Sequence, residues 1–174
     1  MRNIFLLLYF LCLLCFFGCN DEPIVLPCEI AEEHFNNGGT VLADVGDEGF
    51  MGESVFQKND DGSFDIYISR FSFDQCYTRD LIMIPSVELL LNDTAYLDTS
   101  LEAEYKIRDG RESIIGNKKL ATGENWFYLR EMNMDTTELR GDFHLNFDDQ
   151  DSHPSTPTGK VVFENGQFFS KRRD

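Results

Sequence analysis

The chain has 174 residues, and its 31 Asp and Glu outnumber 15 Lys and Arg to give a formal charge of −16. A surface that acidic excludes nucleic acid as a partner and opposes anionic membrane faces; it suits a protein held clear of an anionic bilayer, or one that meets cations. With three histidines and no G-x-S-x-G there is little for nucleophilic catalysis, and paired carboxylates abound only because acids do, so no enzyme is expected.

Arg2 precedes an apolar run from Ile4 that closes in Phe16-Phe17-Gly18-Cys19. At roughly fifteen residues this run is shorter than the about 20 a transmembrane helix needs, and no positively charged stop-transfer cluster follows it. It reads as a lipoprotein signal peptide over residues 1–18, ending in a lipobox, with Cys19 as the residue that is lipidated. The Phe pair departs from the commonest lipobox, which carries Leu and then Ala or Ser before the Gly. Acyl chains on Cys19, at about 0.8 kcal/mol per buried CH₂, would hold the protein to a membrane. A plain secretory signal and a single-span anchor are the alternatives.

Residues 19–27 form an acidic, proline-ended tether, Asn20-Asp21-Glu22-Pro23 to Pro27. The acidic cluster beside the lipidated cysteine resembles the signal that sends many Bacteroidetes lipoproteins to the outer face of the outer membrane, although Asn20 stands where Ser or Lys is usual. That resemblance implies an outer-membrane protein exposed at the cell surface rather than facing the periplasm. Of five cysteines, Cys12 and Cys15 leave with the signal and Cys19 is lipidated. Cys28 and Cys76 remain, a candidate disulfide in an oxidising compartment, worth about 2–4 kcal/mol, with two separate buried thiols as the alternative.

Residues 28–174 are long enough for one domain with its own core. Glu29 to Asn37 is the one segment with helical character, stopped by Gly38-Gly39. Gly38 to Gly52 is glycine-rich and acidic and reads as loop or irregular edge. Beyond it the hydrophobic period is two. Phe64, Ile66 and Ile68 alternate with polar partners, and a phase change at Phe71 and Phe73 predicts a bulge or bend near Arg70. Leu81–Ile84 and Val87–Leu91 read as two short strands meeting at a kink at Pro85. Ala103–Ile107, Asn125–Arg130, Glu138–Phe147 and Lys160–Phe169 complete the strands. Turn signals separate them at Asn59-Asp60-Asp61-Gly62, Asn92-Asp93, Arg108-Asp109-Gly110, Gly123-Glu124-Asn125 and Glu164-Asn165-Gly166. The fold class is therefore all-β, an antiparallel β-sandwich or small barrel with at most one short helix near residues 29–37. The basic end, Lys171-Arg172-Arg173, is expected to fray.

Leu139-Arg140-Gly141-Asp142-Phe143-His144-Leu145, then an acidic loop, then Gly159-Lys160-Val161-Val162-Phe163-Glu164-Asn165-Gly166-Gln167-Phe168 resembles the closing hairpin of uncharacterised Bacteroidetes lipoproteins. In these a GxFxF strand, a loop and an NGxF strand end the domain. The resemblance covers about the last 90 residues and the lipobox, and it implies an all-β domain with no established catalytic residue. The residues by themselves place Leu139, Phe143, Leu145 and Phe147 on one face and Asp142, His144, Asn146 and Asp148 on the other, with a tight hairpin turn at Asn165-Gly166.

Two constellations carry candidate chemistry. Asp142, His144 and Asp148, joined by Asp151 and by His153 from the following loop, offer oxygen and imidazole ligands for a divalent cation or hydroxyl partners for a sugar; a solvated outer face is the plainer reading. Asn59-Asp60-Asp61-Gly62 lacks EF-hand spacing and reads as an Asx-turn. Trp126, Phe127 and Tyr128 are consecutive, so Trp126 and Tyr128 share a face. If that face is outward, with His144 they can stack on a glycan or a protein partner, whereas burial on both faces makes them core. No organic cofactor is implied. The expectation is a non-catalytic, lipid-anchored binding module, or failing that an assembly factor of the outer membrane facing the periplasm, with a hydrolase as a distant alternative.

Overall fold

The computed structural model describes residues 38–72, 77–108, 114–149 and 159–173. The lipobox, all five cysteines, the segment expected to be helical, and Asp151 and His153 lie outside these residues. What is described is all β with no helix: an eight-stranded antiparallel closed barrel plus extra strands. In chain order the strands are β1 (Gly39–Val45), β2 (Glu48–Lys58), β3 (Phe64–Ser72), β4 (Tyr77–Val87), β5 (Thr94–Tyr96), β6 (Glu104–Arg108), β7 (Ile114–Leu120), β8 (Trp126–Met132), β9 (Glu138–Asp149) and β10 (Val161–Arg172). The ring runs β1-β2-β3-β4-β6-β7-β9-β10 and closes where β10 pairs with β1. One edge of β9 follows β10 along most of its length. The other edge is shared, with β7 on its C-terminal part and β8 on its N-terminal part, and β5 pairs with β8 as the outermost strand.

Period-two patterning fills the barrel. Val41, Phe50, Phe56, Phe64, Ile66, Ile68, Ile82, Ile84, Tyr105, Phe127, Phe143, Leu145, Phe147, Phe163 and Phe168 are all buried within one core. Its rings meet edge to face, Phe50 against Phe163 at 5.3 Å and Tyr105 against Phe163 at 5.4 Å, an arrangement worth about 0.5–1.5 kcal/mol per pair beyond burial itself. Glycine makes room where rings crowd. A Cβ on Gly141 would lie 2.0 Å from the Tyr128 carbonyl oxygen, and one on Gly166 would lie 2.6 Å from the Phe143 ring.

The expected strands around Phe64 and over Glu138–Phe147 and Lys160–Phe169 are present, and the register of β3 against β4 shifts at Arg70, where a bulge was expected. Four expectations are corrected. Gly38 to Gly52 is the hairpin of β1 and β2, turned by Gly46 at φ +60°; its glycines do not interrupt pairing with the long flanking strands. Pro85 does not separate two strands: β4 runs through it, and a bulge with Ser86 at φ +55° absorbs the missing N–H, so Phe64 pairs with Val87 and Ile66 with Ile84. Asn165-Gly166 is not a hairpin turn. Asn165 does have φ +50°, but it is a bulge inside the continuous strand β10, and its side-chain amide donates to Asp44 Oδ2 at 2.9 Å. The basic end does not fray, because the Arg172 N–H donates to the Thr137 carbonyl and the Arg173 N–H to the Phe56 carbonyl. The turn at residues 59–62 forms as expected, with Asp61 Oδ1 accepting from the Ser63 N–H at 2.9 Å.

Candidate functional site

Alternation along β8 sends Phe127 into the core and turns Trp126 and Tyr128 outward, each half-buried. Each meets partners across the sheet. Tyr96 on β5, Trp126 on β8 and His144 on β9 stand side by side in register, and Thr94, Tyr128 and Asp142 form the next row. The Trp126 and His144 rings are stacked, with centroids 6.2 Å apart and planes inclined at 19°. Tyr96 is 78% exposed at the outer margin. Together Thr94, Tyr96, Trp126, Tyr128 and Asp142 line a shallow hollow of about 390 Å³ on the outer face of the sheet.

The shelf is held from both sides. Leu97 and Asn92 donate their N–H groups to the Asn125 and Leu129 carbonyls at 2.8 Å, which fastens the short β5 to β8. A bulge at Arg130 in the β8–β9 register lets its guanidinium reach Asp142, Nη2 to Oδ1 3.0 Å. Asp142 is thus oriented with carboxylate acceptor capacity left over, and the Thr94 hydroxyl lies in the same row. Aromatic faces, a carboxylate and a hydroxyl can grip a flat molecule that is apolar on one face and hydroxylated at its rim.

The expected cation ligands are not brought together. Asp142 is paired with Arg130, His144 lies against Trp126, Asp148 stands opposite Lys119 in the β7–β9 register, and Asp151 is outside the described residues. Asp142 and Asp148 are six residues apart on one strand, about 20 Å. Among the described residues no group of three or more His, Cys, Asp or Glu could hold a metal ion. Asn146, which belongs to the same polar stripe, is buried and structural: its N–H donates to Asn125 Oδ1 at 2.7 Å and its side-chain amide to the Glu124 carbonyl at 2.6 Å. Sequence reasoning found Trp126, Tyr128 and His144 but missed Tyr96 and Thr94, because a three-residue strand leaves no periodic signal.

A second polar cluster lies inside the barrel. The Asp80 carboxylate, buried, accepts from Arg70 Nε at 2.6 Å and from the Tyr105 hydroxyl at 2.7 Å. Burial, and then the Asp80 charge, raise the Tyr105 phenol well above its ordinary value. The Arg70 guanidinium lies 4.9 Å over the Phe50 ring. All three residues are engaged with one another, so the cluster is a structural brace. No family model matches this chain, and neither does any curated protein or solved structure.

Proposed function

We propose that this protein is a lipid-anchored, non-catalytic lipoprotein of the outer membrane, exposed at the cell surface, whose barrel carries a carbohydrate-binding shelf. The observation that supports the reading is the row Tyr96–Trp126–His144 with Tyr128 and Asp142 beside it, aromatic faces held outward on a rigid sheet instead of being folded into the core. Pyranose rings present an apolar C–H face to such rings and hydroxyls to a neighbouring carboxylate. The assembly-factor reading has less support, since the outermost strand β5 offers only three residues for strand addition.

Trp126 is the single tryptophan, so its emission reports the shelf alone. Titration with a panel of cell-surface oligosaccharides should give saturable quenching for at least one. Trp126→Ala should weaken retention of the protein on that glycan by about tenfold or more while leaving the far-ultraviolet circular dichroism unchanged. Emission unmoved by every saccharide would sink the carbohydrate reading. Cys19→Ala should release the protein from membranes or leave it as precursor, and protease shaving of intact cells should remove the wild-type domain.

A further inference from the structure

The outermost strand β5 has β8 on one side only. On its other side lies a second hollow of about 420 Å³, walled by the chain that leads into and out of β5: Ser86, Glu88 and Leu90 before it, Asp98, Ser100 and Leu101 after it. Thr94 and Tyr96 line this hollow and the shelf alike, so β5 is the ridge between the two, with the exposed Tyr96 upon it. The backbone of β5 serves both sides. Leu97 donates its N–H to the Asn125 carbonyl, and the Asp93 carbonyl accepts from the Leu129 N–H at 3.3 Å, so these positions face β8. By the alternation of an antiparallel pair, the peptide groups of Thr94 and Tyr96 turn the other way, toward the second hollow. The Thr94 N–H is taken by Asp93 Oδ1 at 2.7 Å, which leaves two carbonyls and the Tyr96 N–H to line the hollow. Around them stand the Ser86 and Ser100 hydroxyls, the Leu90 side chain, 66% exposed, and the carboxylates of Glu88, Asp93 and Asp98. The Ser100 N–H donates to Asp98 Oδ1 at 2.7 Å and fixes that carboxylate, which has acceptor capacity to spare.

We infer that this hollow is a second subsite of the shelf, and that the ligand is an uncharged oligosaccharide chain that crosses β5 at Tyr96, with one sugar stacked on Trp126 and a later one seated against Leu90 and Ser100. The inference rests on the carbohydrate reading above and adds the length and charge of the ligand to it. A sugar ring offers a C–H face to Leu90, hydroxyl donors to the carboxylates and backbone carbonyls, and an acceptor to the Tyr96 N–H. The two hollows differ in charge. On the shelf Asp142 is matched by Arg130, whereas no Lys or Arg is among the described residues that line the second hollow with Glu88, Asp93 and Asp98. A uronate or sulfate group placed there meets like charges and is rejected. Once one end of a chain is held on Trp126, contact at the second hollow is intramolecular, so affinity rises with chain length while the shelf itself is unchanged.

The test titrates the full chain in detergent with neutral gluco-, manno- and galacto-oligosaccharides, each as disaccharide and hexasaccharide, and follows Trp126 emission. In the series that quenches the indole, the hexasaccharide should bind about tenfold or more tightly than the disaccharide. Glu88→Ala combined with Leu90→Ala, at two exposed side chains, should bring the hexasaccharide down to the affinity of the disaccharide and leave the disaccharide unchanged, whereas Tyr96→Ala should weaken both. Equal binding of the two lengths, or a hexasaccharide indifferent to the double variant, overturns the second subsite and leaves the shelf standing. Hexagalacturonate bound as tightly as the neutral hexasaccharide also overturns the inference, since the hollow would then not select on charge. Trp126 emission unmoved by every length of every series overturns the inference together with the carbohydrate reading.

Discussion

Asp80 is the residue on which the interior is most exposed to damage. It is a buried carboxylate with two donors, and removing it leaves the Arg70 guanidinium and the Tyr105 hydroxyl without their acceptor. Arg70 retains 27% side-chain exposure and can recover some hydration, so Asp80→Ala should cost toward the lower end of about 3–5 kcal/mol in urea unfolding. Tyr105 gives a sharper reading because its pH dependence has a definite sign. Its phenol is raised in the folded protein, so below the unfolded value of about 10 the interaction contributes in full. Above that pH the unfolded chain loses the proton while the folded one keeps it, and stability falls. Tyr105→Phe should therefore cost about 1–2 kcal/mol at neutral pH and flatten the alkaline loss seen in the parent. An equally steep alkaline loss in the variant would show that other groups control it.

Strands here tolerate irregularity, and three of the bulges sit where one residue has a reason to leave the ladder. Pro85 has no N–H to offer, Arg130 is turned to reach Asp142, and Asn165 adopts φ +50°. Asn165→Val should cost about 1–2 kcal/mol in thermal or urea unfolding, since a β-branched residue is strained in the left-handed region, whereas Asn165→Gly should be close to neutral. If the two variants unfold alike, the bulge has shifted elsewhere. This same residue marks how far the sequence could be read. Asn-Gly demands positive φ, and that demand is met, but a bulge and a two-residue turn share it, and only pairing of β10 with β9 on both sides of Asn165 separates them. The alternation at Phe64–Ile68 and Leu139–Phe147 was legible because each strand buries one face. The hairpin of β1 and β2 was not, since Gly, Asp and Glu dominate it and its two strands, besides pairing with each other, are held by β10 and β3. The shelf was half legible: Trp126 and Tyr128 show in the pattern, whereas their outward direction depends on Phe127 finding Phe143 and Phe168 inside.

At the scale of the molecule, the period-two patterning and turn signals pointed to the all-β class, whereas composition alone is an incomplete account of the surface. A single charge number averages over faces: it does not show that Arg140 lies beside Glu131 and over the Phe169 ring, or that Lys171 stands opposite Glu138 across the β9–β10 pairing. The proposed disulfide also acts at this scale, because it would join the segment preceding the barrel to the connection between β3 and β4. Replacing Cys28 and Cys76 together by Ser should lower thermal stability in oxidising buffer by about 2–4 kcal/mol and leave membrane association unchanged; equal stability with and without reductant would mean that the bond does not form. The seam of the barrel sets the timetable of folding. Thr40 pairs with Phe169, so the first strand and the last are partners, and β1 has only β2 beside it until β10 has been synthesised. Closure of so long a loop is slow, and the core has no lid on one flank until then. A chain built this way cannot close its barrel until its last strand has been synthesised.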